Sequence, residues 1–209
     1  MSKKIVIAGF KGGVGKSTIS NFLAEMLENS IVVSLDFMQD AEEYNTSRTV
    51  NLDKDEDINV FFESKKDIDY FIIDAGGFDD ARLSEIDIDL LILPTKTGYR
   101  SIKTTVDSAV TFTPINVPVM FILNDYTTDK EQNETLEILE EILKVSELEL
   151  NNLYFFGIQH SNAIKTSENK NASLTELSQE NKLMLRAYNK VITTFKELAD
   201  EVKEIVTGA

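Results

Sequence analysis

Residues 11–18 read Lys-Gly-Gly-Val-Gly-Lys-Ser-Thr, and they sit between an apolar run, Lys4–Ala8, and a stretch of helical periodicity, Lys16–Glu28. Ile19, Phe22, Leu23, Met26 and Leu27 of that stretch share one helix face. A strand, a glycine-rich turn and a helix in that order restrict the chain severely. Gly12, Gly13 and Gly15 let consecutive backbone N–H groups converge on one point, and the helix adds its positive dipole end there. The pattern predicts an anion cradle for the phosphates of a nucleotide. Within it, the loop from Gly12 through Val14 to Gly15 wraps the phosphates, Lys16 places an ammonium on the β- and γ-phosphates, and Ser17 offers a hydroxyl to Mg²⁺. Thr18 closes the binding motif.

The remaining strands follow a simple rhythm. Ile31–Leu35, Tyr70–Ile73, Leu90–Leu93, Val119–Leu123 and Tyr154–Ile158 are almost continuously apolar, as strands buried on both faces must be. Helical stretches separate them, notably Ser101–Val110, Glu131–Val145 and Asn181–Val206. Such alternation predicts an α/β fold, a doubly wound, mostly parallel sheet with helices on both faces. No repeat or linker divides the chain, so residues 1–209 are expected to form one domain. Phe37–Lys66 is the exception. It is polar, acidic and longer than an ordinary connection, with a short helix expected near Asn59–Phe62.

Composition removes several function classes. The chain has no cysteine, which excludes disulfides, thiolate zinc sites and cysteine-held iron–sulfur clusters. No apolar run is long enough to span a bilayer and no signal-peptide core is present, so a cytoplasmic location is expected. The net charge of -15 argues against nucleic acid, but the charge is uneven. Asp36–Asp89 holds 17 acidic and 5 basic residues, whereas Ile158–Lys196 holds 6 basic and 3 acidic ones. Lys182, Arg186 and Lys190 recur every four residues and form one basic stripe, a candidate DNA contact. A solvated helix face is the plainer reading of the same stripe.

The usual phosphate loop carries a glycine separated from Gly15 by four residues. Here Phe10 holds that place, and a second lysine, Lys11, stands inside the motif. In this the chain resembles the ParA/MinD family of deviant Walker A ATPases. The resemblance implies an ATPase with ATP and Mg²⁺ as cofactors. It also implies that Lys11 reaches across a homodimer to the partner's nucleotide, so that bound ATP holds the dimer together. Asp74, in Ile-Ile-Asp-Ala-Gly-Gly, resembles the residue that holds Mg²⁺ directly or through water. Gly76 and Gly77 follow it in the second switch segment.

Other matches extend along the chain. Leu-Leu-Ile-Leu-Pro94-Thr95 resembles the family's Pro-Thr strand. Asn124 closes the strand whose terminal asparagine contacts adenine in that family. Ile158–Leu177 follows its strand, alanine-centred short helix and Ser-Leu-x-Glu turn. Asp36 and Asp74 both end strands and are expected to face the loop. One departure concerns catalysis. The family has two aspartates one residue apart, followed by Pro-Gln. Asp36-Phe37-Met38-Gln39-Asp40 puts Met38 in the second place. Methionine cannot orient water. Asp40 is then the candidate substitute, and slow hydrolysis is expected. His160, the sole histidine, reads as a polar loop residue without a partner constellation.

The resemblance is greatest to the short ParA-type partition ATPases, with no domain expected before the first strand. It implies plasmid or chromosome segregation through nonspecific DNA, a nucleoid-associated protein, and a centromere-binding or cargo adaptor that stimulates hydrolysis. Two alternatives remain. A positioning ATPase for a protein cargo uses the same chemistry as segregation, whereas a membrane-positioned, MinD-like one would need a basic amphipathic tail; this chain ends Glu201-Val-Lys-Glu-Ile-Val-Thr-Gly-Ala, so no stable membrane insertion is expected. A metabolic ATP-dependent enzyme would need a second constellation of charged or aromatic residues.

Overall fold

The computed structural model describes residues 2–35, 48–75, 80–112, 117–146, 152–180 and 184–208. Seven strands form one sheet: β1 (Lys3–Ile7), β2 (Ser30–Ser34), β3 (Thr49–Asn51), β4 (Tyr70–Asp74), β5 (Leu90–Thr95), β6 (Val119–Tyr126) and β7 (Leu153–Gln159). Their spatial order is β3-β2-β4-β1-β5-β6-β7, and every described pairing is parallel. The expected mostly parallel, doubly wound sheet is present, and it is parallel throughout among the described residues. The helices are α1 (Lys16–Met26), α2 (Ile58–Ser64), α3 (Tyr99–Phe112), α4 (Asp129–Lys144), α5 (Asn162–Lys170), α6 (Leu174–Glu180) and α7 (Leu185–Thr207).

The period-2 geometry of a strand explains why the apolar runs are continuous. Ile5 and Ile7 of β1 face one core with Ile72, Ile92 and Ile122, where α1 and α7 pack. Val6 and Ala8 face the opposite core with Ile73, Leu93 and Phe121, where α2, α3 and α4 pack. On the first side Phe22 of α1 meets Phe195 of α7 edge to face, with ring centroids 5.0 Å apart. That arrangement suits the aromatic quadrupoles and locks α7 onto the helix that carries the loop.

Caps set the helix starts. Asp57 accepts from the backbone of Asn59 and Val60 at α2, and Thr128 accepts from Glu131 at α4. At α6, Ser173 and Glu176 exchange hydrogen bonds in a reciprocal capping box. The Ser-Leu-x-Glu pattern is thus the start of a helix rather than a free turn. Two elements differ from the sequence-based expectation. Strand β3 lies inside Phe37–Lys66, where no strand is expected. It has only three residues, and its pairing to β2 through Val33↔Val50 supplies what its own sequence lacks. The last helix begins at Leu185 rather than Asn181, and Lys182 lies outside the described residues.

Candidate nucleotide-binding site

The central strand β1 lies between β4 and β5; the chain leaves β1 toward β2 on one side and leaves the neighbouring β5 toward β6 on the other, so the order reverses between β1 and β5. The loop at the carboxyl end of β1 therefore opens onto the crevice where ligands of such sheets bind. Gly13 and Gly15 have φ of 70° and 99°, the left-handed region that side chains avoid. At Gly15 a second constraint operates. A Cβ there would lie 2.2 Å from Nδ2 of Asn124, which donates to the Val14 carbonyl at 2.8 Å. Around Gly12 and Gly13 a Cβ would meet nothing within 4 Å. Their outer faces look into open space, as a cradle for an anion requires.

Lys16 opens α1 with its side chain folded back over the loop, its Nζ 3.4 Å from the Lys11 carbonyl. It is 9% exposed, so its ammonium is sheltered from screening and close to the converging N–H groups. Lys11 itself is exposed. Asp74 ends β4 in register with Ile7 of β1 and is 3% exposed. Ser17 lines the cavity beside Lys16. A serine hydroxyl and an aspartate carboxylate are hard oxygen donors, a set that suits Mg²⁺ completed by water and phosphate oxygens. Asp36 and Asp40 lie outside the described residues, as do Met38, Gly76 and Gly77.

The loop forms one end of a cavity of about 420 Å³. Beyond Gly12, Gly13, Gly15, Lys16, Ser17 and Thr18, its walls come from the carboxyl ends of β5, β6 and β7 and from one face of α5. Lys96, Asp125, Gln159, Ser161, Ile164 and Glu168 are the residues there to which the sequence assigned no role. Glu168 accepts a short hydrogen bond from the Thr18 hydroxyl, which bridges α5 to α1. The rule that ligands bind beyond strand ends would have flagged Lys96, Asp125 and Gln159. The i, i+3, i+4 spacing of Ser161, Ile164, Lys165 and Glu168 puts them on one helical face, but only packing shows which face looks inward.

His160 has the partner that the sequence did not reveal. Its Nδ1 lies 2.6 Å from Oδ1 of Asp125, and Lys96 Nζ lies 3.6 Å from Oδ2. Burial raises the Asp125 pKa, but the His160 hydrogen bond and the charges of Lys96 and Lys165 outweigh it and hold the carboxyl below its ordinary value. The basic stripe is only partly on view. Arg186 and Lys190 are exposed on α7, and Lys190 donates to Oε1 of Gln159 at 2.6 Å. Lys190 thus touches the rim of the cavity.

The profile of the CobQ/CobB/MinD/ParA nucleotide-binding domain family matches residues 5–174. The chain belongs to this family. The matched segment runs from β1 to the first residue of α6, so it includes the loop and each residue lining the cavity. No curated protein matches the chain. Several solved structures share its fold. The septum site-determining protein MinD from Pyrococcus horikoshii, complexed with Mg-ADP, is 17% identical, with 98% of this chain and 97% of that one covered at a TM-score of 0.66. The pnob8 ParA is 14% identical, with 100% and 99% covered at 0.64. An ATP complex of McdA from Cyanothece is 18% identical, with 99% and 96% covered at 0.59. Among the described residues no helix is long and apolar enough to cross a membrane.

Proposed function

We propose that this chain is an ATP-dependent dimerising ATPase of the ParA type, a single domain acting in DNA segregation. The observation that carries the nucleotide reading is the glycine loop on the central strand, opening onto a cavity large enough for a nucleoside triphosphate. In this reading Gly12, Gly13, Val14 and Gly15 wrap the phosphates through their N–H groups. Lys16 neutralises the β- and γ-phosphates, Thr18 borders the α-phosphate, and Asn124 faces the base. Ser17 and Asp74 hold Mg²⁺, which supplies charge neutralisation at the phosphate oxygens when bound. The MinD and McdA structures, solved with Mg-ADP and with ATP, support the choice of ligand.

The exposed Lys11 is proposed to reach the nucleotide of the second subunit. Its backbone carbonyl is engaged by Lys16, while its side chain faces outward. Asp36 and Asp40 are assigned to water positioning on their sequence alone, with Met38 making the step slow. Arg186 and Lys190, with Lys182, form the proposed DNA contact. At physiological salt the Debye length is about 8 Å, so an acidic surface elsewhere is largely screened from α7. The homodimer doubles the stripe, which steepens the dependence on salt. A centromere-binding or cargo adaptor completes the cycle, and nucleoid association in the cytoplasm follows from it.

The deciding experiment measures duplex binding and mass in solution with ATP, with ADP and without nucleotide. A dimer that binds duplex only with ATP is expected. An ATP-bound dimer that ignores DNA at low salt overturns segregation. The chain would then be read as a positioning ATPase for a protein cargo, a reading that the McdA and MinD likenesses favour over a metabolic enzyme.

A further inference from the structure

Strand β6 is irregular where it reaches the cavity. Its pairing with β7 runs in register from Val119↔Leu153 to Asn124↔Ile158, then shifts so that Tyr126 pairs Gln159. The residue skipped is Asp125. Its φ of 71° is left-handed, a conformation that costs a non-glycine residue energy. Bulges of this kind re-aim a side chain beside a functional site. Here the bulge places Asp125 on the cavity wall with Gln159, Ser161 and Ile164. His160 and Lys96 then clamp the carboxylate, at 2.6 Å and 3.6 Å.

A carboxylate in a nucleotide cavity repels phosphate, so it must face a part of the ligand that carries N–H or O–H donors. The sheet order decides which part. The phosphate loop follows β1, whereas β6 and β7 lie two and three places along the sheet. With the phosphates at the loop, the base occupies the β6–β7 end, against the apolar surface of Ile164. A carboxylate offers about four acceptor sites, and His160 and Lys96 engage only one on each oxygen.

We propose that Asp125 reads the nucleobase: its carboxylate accepts a hydrogen bond from the exocyclic 6-amino group of adenine. This rests on the nucleotide site proposed above. The backbone strain at Asp125 is the cost of aiming an acceptor at that edge, and His160 fixes the carboxylate plane. Asp125 is a specificity-determining residue and takes no part in phosphate chemistry.

The test compares ATP, purine riboside triphosphate (which lacks the 6-amino group), GTP and dATP on the wild-type chain, Asp125→Gly and Asp125→Asn. Glycine suits the left-handed φ, so Asp125→Gly removes the carboxylate without new strain. Asparagine also tolerates it and keeps a neutral acceptor. Wild type should bind ATP about ten- to a hundredfold tighter than the analogue without the amino group, the range of a charge-assisted hydrogen bond. Asp125→Gly should abolish that ratio by weakening ATP alone, and Asp125→Asn should reduce it. Thermal unfolding of each variant checks that the fold persists. A ratio unchanged in Asp125→Gly overturns the proposal while leaving the nucleotide site standing. So does a loss in Asp125→Gly that falls equally on ATP and purine riboside triphosphate but spares dATP, which would assign the carboxylate to the ribose 2′-hydroxyl, or a wild-type preference for GTP. Wild type that binds none of the four overturns the site and this proposal together.

Discussion

Asn124, near the carboxyl end of β6, donates from Nδ2 to the carbonyl of Val14 in the glycine loop, across 2.8 Å and 110 residues of sequence. This bond ties the loop after the central strand to a strand two places away. It is also the reason Gly15 admits no side chain, because Nδ2 occupies the space where a Cβ would point.

Gly15→Ala should therefore be doubly harmful. The methyl group meets Asn124, and φ of 99° is poor for alanine. A loss of about 1–3 kcal/mol of stability is expected from the backbone strain, with nucleotide affinity lowered further. Adding Asn124→Ala should recover part of the loss, because it relieves the contact but not the strain. Urea midpoints of the two single variants and the double variant check this. Strict additivity would count against the contact.

Lys16→Ala should abolish or severely weaken triphosphate binding, since a sheltered ammonium over the loop is replaced by a methyl group. Lys11→Ala should leave binding by the monomer nearly intact and lower turnover in the dimer. Calorimetry and phosphate release separate the two lysines. Equal effects of both substitutions on monomer binding would remove the assignment of Lys11 to the second subunit.

Arg186→Glu should remove duplex binding while ATP affinity stays at the wild-type level. Lys190→Ala should differ, because Lys190 holds Gln159 at the cavity rim. A change in nucleotide affinity, by a few-fold, is expected alongside weaker duplex binding. Filter binding at several salt concentrations, read beside calorimetry, tests this. A nucleotide affinity altered by Arg186→Glu would show that the stripe belongs to the cavity instead.

The pair Asp80–Arg82 predicts a response to acid. Arg82 is 9% exposed and donates to the Asp80 carboxylate and to the Asp53 carbonyl, joining the segment after β4 to the turn before α2. The Arg82 hydrogen bond, opposed by burial, holds the Asp80 carboxyl below its ordinary value. A depressed carboxylate stabilises the fold above its unfolded value and loses that contribution as pH falls through its folded value. Asp80→Asn should cost about 1.5–3 kcal/mol at pH 7, and the difference from wild type should shrink below about pH 4. A difference constant from pH 7 to pH 3 would show that this pair carries no such linkage.

The sequence by itself determined the α/β class, six of the seven strands and the phosphate loop. These rest on local patterns: continuous apolar runs, helical periodicity, and glycines between a strand and a helix. The places of Lys16 at the start of α1 and of Asn124 on β6 were also legible, because each belongs to a local pattern, whereas the bond from Asn124 to Val14 was not. Strand β3 was not, since Thr49–Asn51 is too short to carry a periodicity and exists through its pairing with β2. The far end of the cavity was equally hidden. Asp125 and His160 are 35 residues apart and meet only because β6 and β7 are neighbours and β6 bulges by one residue. Glu168 reaches Thr18 because α1 and α5 both pack on α7, and Lys190 on α7 reaches Gln159 at the end of β7. The physical reason is the range of the information. Strand, helix and loop propensities are encoded within a few residues, whereas the partners of a cavity wall are set by sheet order, register and helix packing, which bring distant segments together.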